Sequence, residues 1–126
     1  MVHGRSENQL AAVLFAKNHQ IISGVNEKSG GGNEGFDPHE LLESALAACT
    51  IITVEMYAKR KSWNLQSIEV SVRIETDNAI SVVERKIAIV GNLDDIQRSR
   101  LLEIADKCPI HRILTQKMEI KTTLKI

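Results

Sequence analysis

The sequence predicts an α+β domain with antiparallel strands beside one long helix, and three observations carry that expectation. Asp37-Pro38 is a helix start, and an apolar-periodic stretch runs from it to about Lys61. Residues 68–75 and 83–91 alternate apolar and polar side chains, as an antiparallel pair with one wet face does. The elements then read strand, strand, long helix, strand, strand, helix, strand, which groups strands with strands and argues against a parallel βαβ fold. A chain of 126 residues with 43% hydrophobic content suits a single domain over residues 1–126.

The first strand is residues 9–16. A short helix fits the same residues, but Asn18-His19 reads as a tight turn and residues 20–25 as the returning arm of a hairpin. Residues 26–37 hold Ser29-Gly30-Gly31-Gly32-Asn33-Glu34-Gly35, a mobile loop. A phosphate-cradling reading of the Gly run is disfavoured because Asp37-Pro38, not Lys-Ser/Thr, follows it. In the long helix, Asp37 caps free N–H groups, Pro38 suits the first position and Glu40 completes a capping box. Leu42, Ala45, Leu46, Cys49, Ile52, Thr53 and Met56 recur at helical spacing and mark the inward face. Leu41, Ala48, Ile51 and Val54 widen the apolar surface, so the helix is expected to be covered on nearly all sides, at the centre of a domain or of a dimer. Lys59-Arg60-Lys61 closes it and complements the helix C-terminus. After the two alternating strands, Asp94-Asp95 opens a second helix that ends at Cys108-Pro109. A short turn follows at residues 110–114, and residues 118–126 alternate as a final strand.

Composition excludes some classes of partner. Lys plus Arg and Asp plus Glu are 16 each, which gives no general attraction to nucleic acid or to an anionic membrane. It also does little to keep copies apart, so self-association is expected. Uninterrupted apolar runs fall far short of the ~20 residues of a membrane span, and the N-terminus lacks the order of a signal peptide. The expected compartment is the cytoplasm, where a standing disulfide is disfavoured and a reactive or buried free thiol is favoured.

The chain has two cysteines, Cys49 within the long helix and Cys108 before Pro109. They read either as inert core residues, since Cys is among the most buried residue types, or as a redox pair. Peroxide reduction needs a thiolate to attack the O–O bond and a second thiol to condense with the resulting sulfenic acid, and two cysteines match that requirement. Cys108-x-x-His111 has ligand-like spacing, but a structural zinc takes four ligands and no further cysteine is at hand, so no metal is expected. His3, His19 and His39 read as surface residues. Phe15, Phe36, Tyr57 and Trp63 are the aromatic side chains available to line a pocket.

The segment Pro38-His39-Glu40-Leu41-Leu42 through Ala45-Leu46-Ala47-Ala48-Cys49-Thr50, with Lys107-Cys108-Pro109-Ile110-His111-Arg112 downstream, resembles the OsmC/Ohr family of osmotically induced and organic-hydroperoxide-resistance proteins. The resemblance covers most of the chain. It implies an OsmC-like α+β fold built as an intertwined homodimer around two long helices. It also implies a two-cysteine hydroperoxide reductase: Cys49 attacks, Cys108 resolves, and an external dithiol reductant regenerates the enzyme without metal, flavin or haem. In the family's peroxidases a loop Arg before the helix supports the thiolate, and an early-helix Glu holds that Arg. This sequence has no Arg between Arg5 and Arg60. Lys28 supplies charge in the loop but not the planar guanidinium fork, and Arg5 is the N-terminal candidate. The early-helix Glu falls at about His39, with Glu40 next to it and better read as a cap. The alternative reading, motivated by the missing loop Arg, is a non-enzymatic OsmC-like dimer that binds a small apolar ligand.

Overall fold

The computed structural model describes residues 1–125. Its elements run β1 (His3–Glu7), β2 (Ala11–Ala16), β3 (His19–Gly24), a 3-10 turn (Glu27–Ser29), α1 (Pro38–Arg60), β4 (Asn64–Thr76), β5 (Ser81–Asn92), α2 (Asp95–Ala105) and α3 (Pro109–Thr115). The chain is α+β with antiparallel sheets and one long helix, as expected. It divides into two compact units, residues 1–44 and residues 45 onward, with α1 running from one into the other.

In the first unit β1, β2 and β3 form an antiparallel sheet in that order. β1 escaped the sequence reading because all five of its residues are exposed, so no apolar alternation announces it. Only its pairing to β2, from His3 opposite Phe15 to Glu7 opposite Ala11, reveals it. The hairpin turn lies at Lys17-Asn18, with Lys17 at φ 54, so His19 already belongs to β3. Phe36 bridges back to Ser23. Gly35 makes this return possible: its φ is +66, and a Cβ there would meet the Ile22 carbonyl oxygen.

α1 begins with the capping box the sequence called for. The Glu40 N–H donates to Asp37 Oδ1 at 2.8 Å, and the Asp37 N–H donates to Glu40 Oε1 at 3.0 Å. Its inward face differs from the expected one. Leu46, Thr50, Val54 and Ala58 are buried, whereas Leu42, Ile52 and Met56 stand exposed at 45%, 55% and 63%. The helix is apolar nearly all round, so three- and four-residue spacing fits two stripes equally well and cannot choose between them. α1 also corrects the expectation about membrane-spanning length. Uninterrupted apolar runs are short, but the 23-residue helix has a stretch of mean hydropathy 1.4, long and apolar enough to cross a membrane by length and composition. A core helix of a globular fold meets the same criterion, and Glu43 and Glu55 lie within this one.

In the second unit β4 and β5 form a long antiparallel hairpin. Its turn is held by Asp77, whose Oδ1 accepts the N–H groups of Ala79 and Ile80 at 2.7 and 2.9 Å. Ile68, Val70, Val72 and Ile74 face Ile89, Ile87, Arg85 and Val83 across the pair, so these residues share one face of the sheet. Ile68, Val54, Ala58, Leu101 and Ala105 make the core, with Ile51, Tyr57, Trp63, Val70, Ile87 and Ile89 packed against it. α2 starts on a second capping box, Asp94 with Gln97. Cys108 is not the end of that helix but the N-cap of α3, with Pro109 at its first position.

The final strand expected over residues 118–126 is absent among the described residues, and Ile126 lies outside them. Residues 117–125 take no regular structure, and Met118, Ile120 and Leu124 are exposed at 57%, 88% and 86%. An alternating pattern is only half of a strand. The other half is a neighbour to pair with, and no strand among the described residues pairs with this segment.

Candidate functional site

The second unit brings the two cysteines together. Cys49 lies on α1 between the buried stripe and the exposed one and is half-buried, while Cys108 is fully buried. Both are free thiols, and Cys49 is a neighbour close enough to bear on the ionisation of Cys108. The geometry follows from the local sequence. Small residues at Ala45, Ala47 and Ala48 keep the helix surface low around Cys49. The extended backbone of Cys108, φ −65 and ψ 143, turns its sulfur back to accept the His111 N–H at 3.2 Å.

The polar surroundings of the pair centre on Thr50 and Arg85. Thr50 is fully buried. Its hydroxyl donates to the Leu46 carbonyl at 2.7 Å and accepts from Arg85 Nη1 at 3.1 Å, and Cys108 is its neighbour. Arg85 reaches in from β5 with a side chain only 11% exposed. The same Nη1 donates to the Ala105 carbonyl at 3.2 Å, and Nη2 donates to Asp106 Oδ1 at 2.6 Å. Asp106 also stands 3.8 Å from His111 Nδ1. A buried guanidinium thus has three acceptors, one on α1 and two at the end of α2, which is what burying a charge requires. Thr53 lies 4.0 Å from the Cys49 sulfur.

Burial pushes the Cys108 thiol up, and neighbouring Cys49 adds to that. The His111 N–H and the Thr50 hydroxyl, which favour a thiolate, pull it back in part. Beside this polar knot opens a cleft of about 400 Å³ lined by Leu46, Ser81, Val83, Arg85, His111, Leu114 and Thr115. Neither sulfur lines it, but Leu46, Arg85 and His111 each touch a residue of the thiol site or the site itself.

The other candidate site residues, Glu40, His39, Lys28 and Arg5, belong to the first unit. Glu40 completes the capping box of α1. His39 is exposed beside it, and Lys28 is exposed in the 3-10 turn. Arg5 stacks over the Phe15 ring, 5.2 Å from its centre. Among the described residues no three His, Cys, Asp or Glu side chains gather as metal ligands. The Cys108 sulfur accepts the His111 backbone N–H at 3.2 Å.

Sequence reasoning passed over Arg85, Thr50 and Asp106. A signal existed: Arg85 is the one charged residue in the inward series Val83, Arg85, Ile87, Ile89. A charge at an inward position of an alternating strand demands a buried partner.

Residues 30–123 match the family model described as OsmC-like protein. No curated protein matches the chain. Among solved structures, an OsmC-like protein from Mycoplasma pneumoniae superposes with a TM-score of 0.78 at 17% identity, over 90% of this chain and 85% of that one. The organic hydroperoxide resistance protein OsmC from Legionella pneumophila gives 0.69 at 15% identity, over 91% and 88%. The organic hydroperoxide resistance protein OhrB of Bacillus subtilis gives 0.62 at 18% identity, over 91% and 89%. Likeness at such identities is likeness of fold, but the family match spans most of the sequence: the chain belongs to the OsmC-like protein family.

Proposed function

We propose that the protein is a thiol-dependent hydroperoxide reductase that works by a two-cysteine cycle in oxidative-stress defence. The observation that carries this reading is that Cys49 and Cys108, two free thiols from distant parts of the sequence, are neighbours in the fold, close enough for Cys49 to bear on the ionisation of Cys108. Family membership and structural neighbours named for organic hydroperoxide resistance support a peroxide-related role.

Exposure divides the labour. Cys49, half-buried, is the thiol a peroxide reaches. Its thiolate attacks a peroxide oxygen, the S–O bond forms as the O–O bond breaks, and the alkoxide leaves and takes a proton as an alcohol. Cys108, fully buried, never meets the oxidant directly. Its thiolate attacks the Cys49 sulfenic sulfur, an S–S bond forms, and hydroxide leaves and takes a proton as water. An external dithiol then reduces the disulfide and is itself oxidised to a disulfide. The cycle draws on no metal or organic cofactor. A reducing compartment such as the cytoplasm suits it, because both thiols must be free between turnovers.

The working form in this reading is a homodimer. α1 leaves large apolar side chains open to solvent. A second copy seated on the exposed stripe of α1, Leu42, Ile52 and Met56, accounts for apolar surface of that kind.

The test is direct. Reduced protein is treated with cumene hydroperoxide, peroxide consumption is followed, and the thiols are mapped by mass spectrometry. A Cys49–Cys108 disulfide formed in step with peroxide loss is expected; no disulfide together with no consumption overturns the reading. A second reading, a non-enzymatic dimer that binds a small apolar ligand, draws on an apolar cleft of about 260 Å³ in the first unit, lined by Val2, Leu14, Phe15, Ala16, His19, Ile21 and Leu41. It predicts a protein inert to peroxide.

A further inference from the structure

We propose that Arg85 is a positioning residue for the resolving half of the cycle, acting through the Thr50 hydroxyl to hold negative charge on Cys108. The assignment rests on the two-cysteine reading above and extends it to a residue outside both cysteine motifs.

The Thr50 hydroxyl donates to the Leu46 carbonyl at 2.7 Å with the Cys108 sulfur as its neighbour, and the Ala105 carbonyl that accepts from Arg85 Nη1 also accepts the Cys108 N–H at 3.3 Å. While Cys108 is a neutral thiol, the Leu46 carbonyl is the better acceptor. Once Cys108 loses its proton, the sulfur carries a full charge and becomes the better one. Arg85 Nη1 donates to the same hydroxyl oxygen at 3.1 Å, which draws electron density from it and strengthens the O–H as a donor. Both Thr50 and Cys108 are fully buried, so water cannot supply the missing stabilisation. The arrangement is fixed before chemistry begins: the Ala105 carbonyl and Asp106 hold the guanidinium at 3.2 and 2.6 Å, and the Arg85 side chain is itself mostly buried.

The charged and titratable groups facing Cys108 are few. Arg85 comes from β5, Asp106 and His111 lie on either side of Cys108 in the chain, and Cys49 comes from α1. Asp106 offsets part of the Arg85 charge, so the hydroxyl relay, not the bare charge, reaches the sulfur. In the step concerned, the Cys108 thiolate supplies the electron pair of the new S–S bond. The Cys49 S–OH bond breaks, and the hydroxide is protonated to water. Stabilising that thiolate raises the fraction of Cys108 ready to attack and leaves the reaction of Cys49 with peroxide unchanged.

A purely structural role for Arg85, tying the end of α2 to α1, makes different predictions. Thr50→Val keeps the shape of the side chain and the Arg85 bonds to Ala105 and Asp106 but removes the hydroxyl. Thr50→Ser restores the hydroxyl. Arg85→Met removes the donor, and Arg85→Lys keeps the charge without the fork. Each variant is mixed with one equivalent of cumene hydroperoxide, and Cys49 sulfenic acid, trapped with dimedone, and disulfide are followed in time across neutral and alkaline pH. Melting temperatures run alongside.

The expected result is unchanged sulfenic acid formation. Disulfide formation slows about tenfold in Thr50→Val and Arg85→Met, with its pH profile displaced upward by about one unit. Thr50→Ser behaves as wild type, and the double variant is no slower than the slower single one, because both changes cut the same path. A wild-type resolution rate and pH profile in Thr50→Val overturns the assignment, as does a Thr50→Ser variant as slow as Thr50→Val. If wild-type protein forms sulfenic acid and disulfide normally, failure of these variants to differ condemns the role of Arg85 alone. If wild-type protein forms neither, the two-cysteine reading has fallen first.

Discussion

Cys108 makes stability fall on the alkaline side of neutrality. Burial holds its thiol above the ordinary value of about 8.5, and neighbouring Cys49 adds to this. The folded chain therefore keeps the Cys108 proton at pH values where the unfolded chain has lost it. Its contribution is whole below the unfolded value and drains away as pH rises through the unfolded value towards the folded one. One proton limits the slope to about 1.4 kcal/mol per pH unit. The His111 N–H and the Thr50 hydroxyl pull the thiol back, so the span of pH over which that slope runs is shorter than burial alone would make it. The comparison is wild type against Cys108→Ala, both fully reduced and at one protein concentration, by urea unfolding from neutral pH to about pH 9.5, below the ordinary tyrosine range. Tyr57, whose hydroxyl accepts from Arg100 at 3.0 Å, is held below that range and pulls the other way, but it does so in both proteins alike, so the difference between the two curves belongs to Cys108. At neutral pH the variant is less stable by about 1 kcal/mol for the lost buried sulfur. Above the ordinary thiol value the wild-type curve falls towards that of the variant. Parallel curves refute the reasoning. The same raised thiol links stability to chemistry, because the pH range that weakens the fold is the range in which Cys108 becomes able to attack.

Other expectations follow from the same geometry. Cys108→Ala treated with excess peroxide should carry Cys49 past sulfenic to sulfinic acid, visible as two added oxygens in the intact mass; a stable wild-type-like sulfenate would contradict it. Leu101 is fully buried in the core of the second unit, so Leu101→Ala should cost about 3 kcal/mol and lower the melting temperature by roughly 10 °C. Ile52→Glu with Met56→Glu places two charges on the exposed stripe of α1, and light scattering should report a smaller species than wild type at equal concentration; an unchanged mass removes that stripe from the dimer contact. Asp37→Ala removes the cap that Glu40 N–H uses and should cost about 1 kcal/mol, with Asp37→Asn nearly neutral.

What could be read from the sequence was whatever its local chemistry determines. Asp37, Pro38 and Glu40 satisfy backbone groups within one turn, so the start of α1 needed nothing from the rest of the chain. Residues 68–75 alternate because one face of β4 is dry, and the strand was visible for that reason, though it extends further at both ends. β1 has no dry face, and hydrogen bonding to β2 alone defines it. The orientation of α1 was misjudged because an all-apolar helix carries no preferred side; Thr50, apparently a polar intruder, marks the buried stripe since its hydroxyl has partners there. The cysteines were found by residue type and family motif. Arg85 was not, because its meaning depends on Thr50 and Asp106, 35 and 21 residues away, and no short window contains them.

Arg85 also acts on the register of the hairpin that carries it. With strands of 13 and 12 residues rich in aliphatic side chains, β4 and β5 have many near-equivalent ways to pair. A slip of one residue would turn β5 over, send Arg85 out to water and turn Glu84 and Lys86 towards the helices in its place. Thr50 and the Ala105 carbonyl would each lose a donor in the same event. A long apolar hairpin, otherwise free to choose among alignments, is thereby committed to one, and the residue that excludes the others is the residue set beside the thiols.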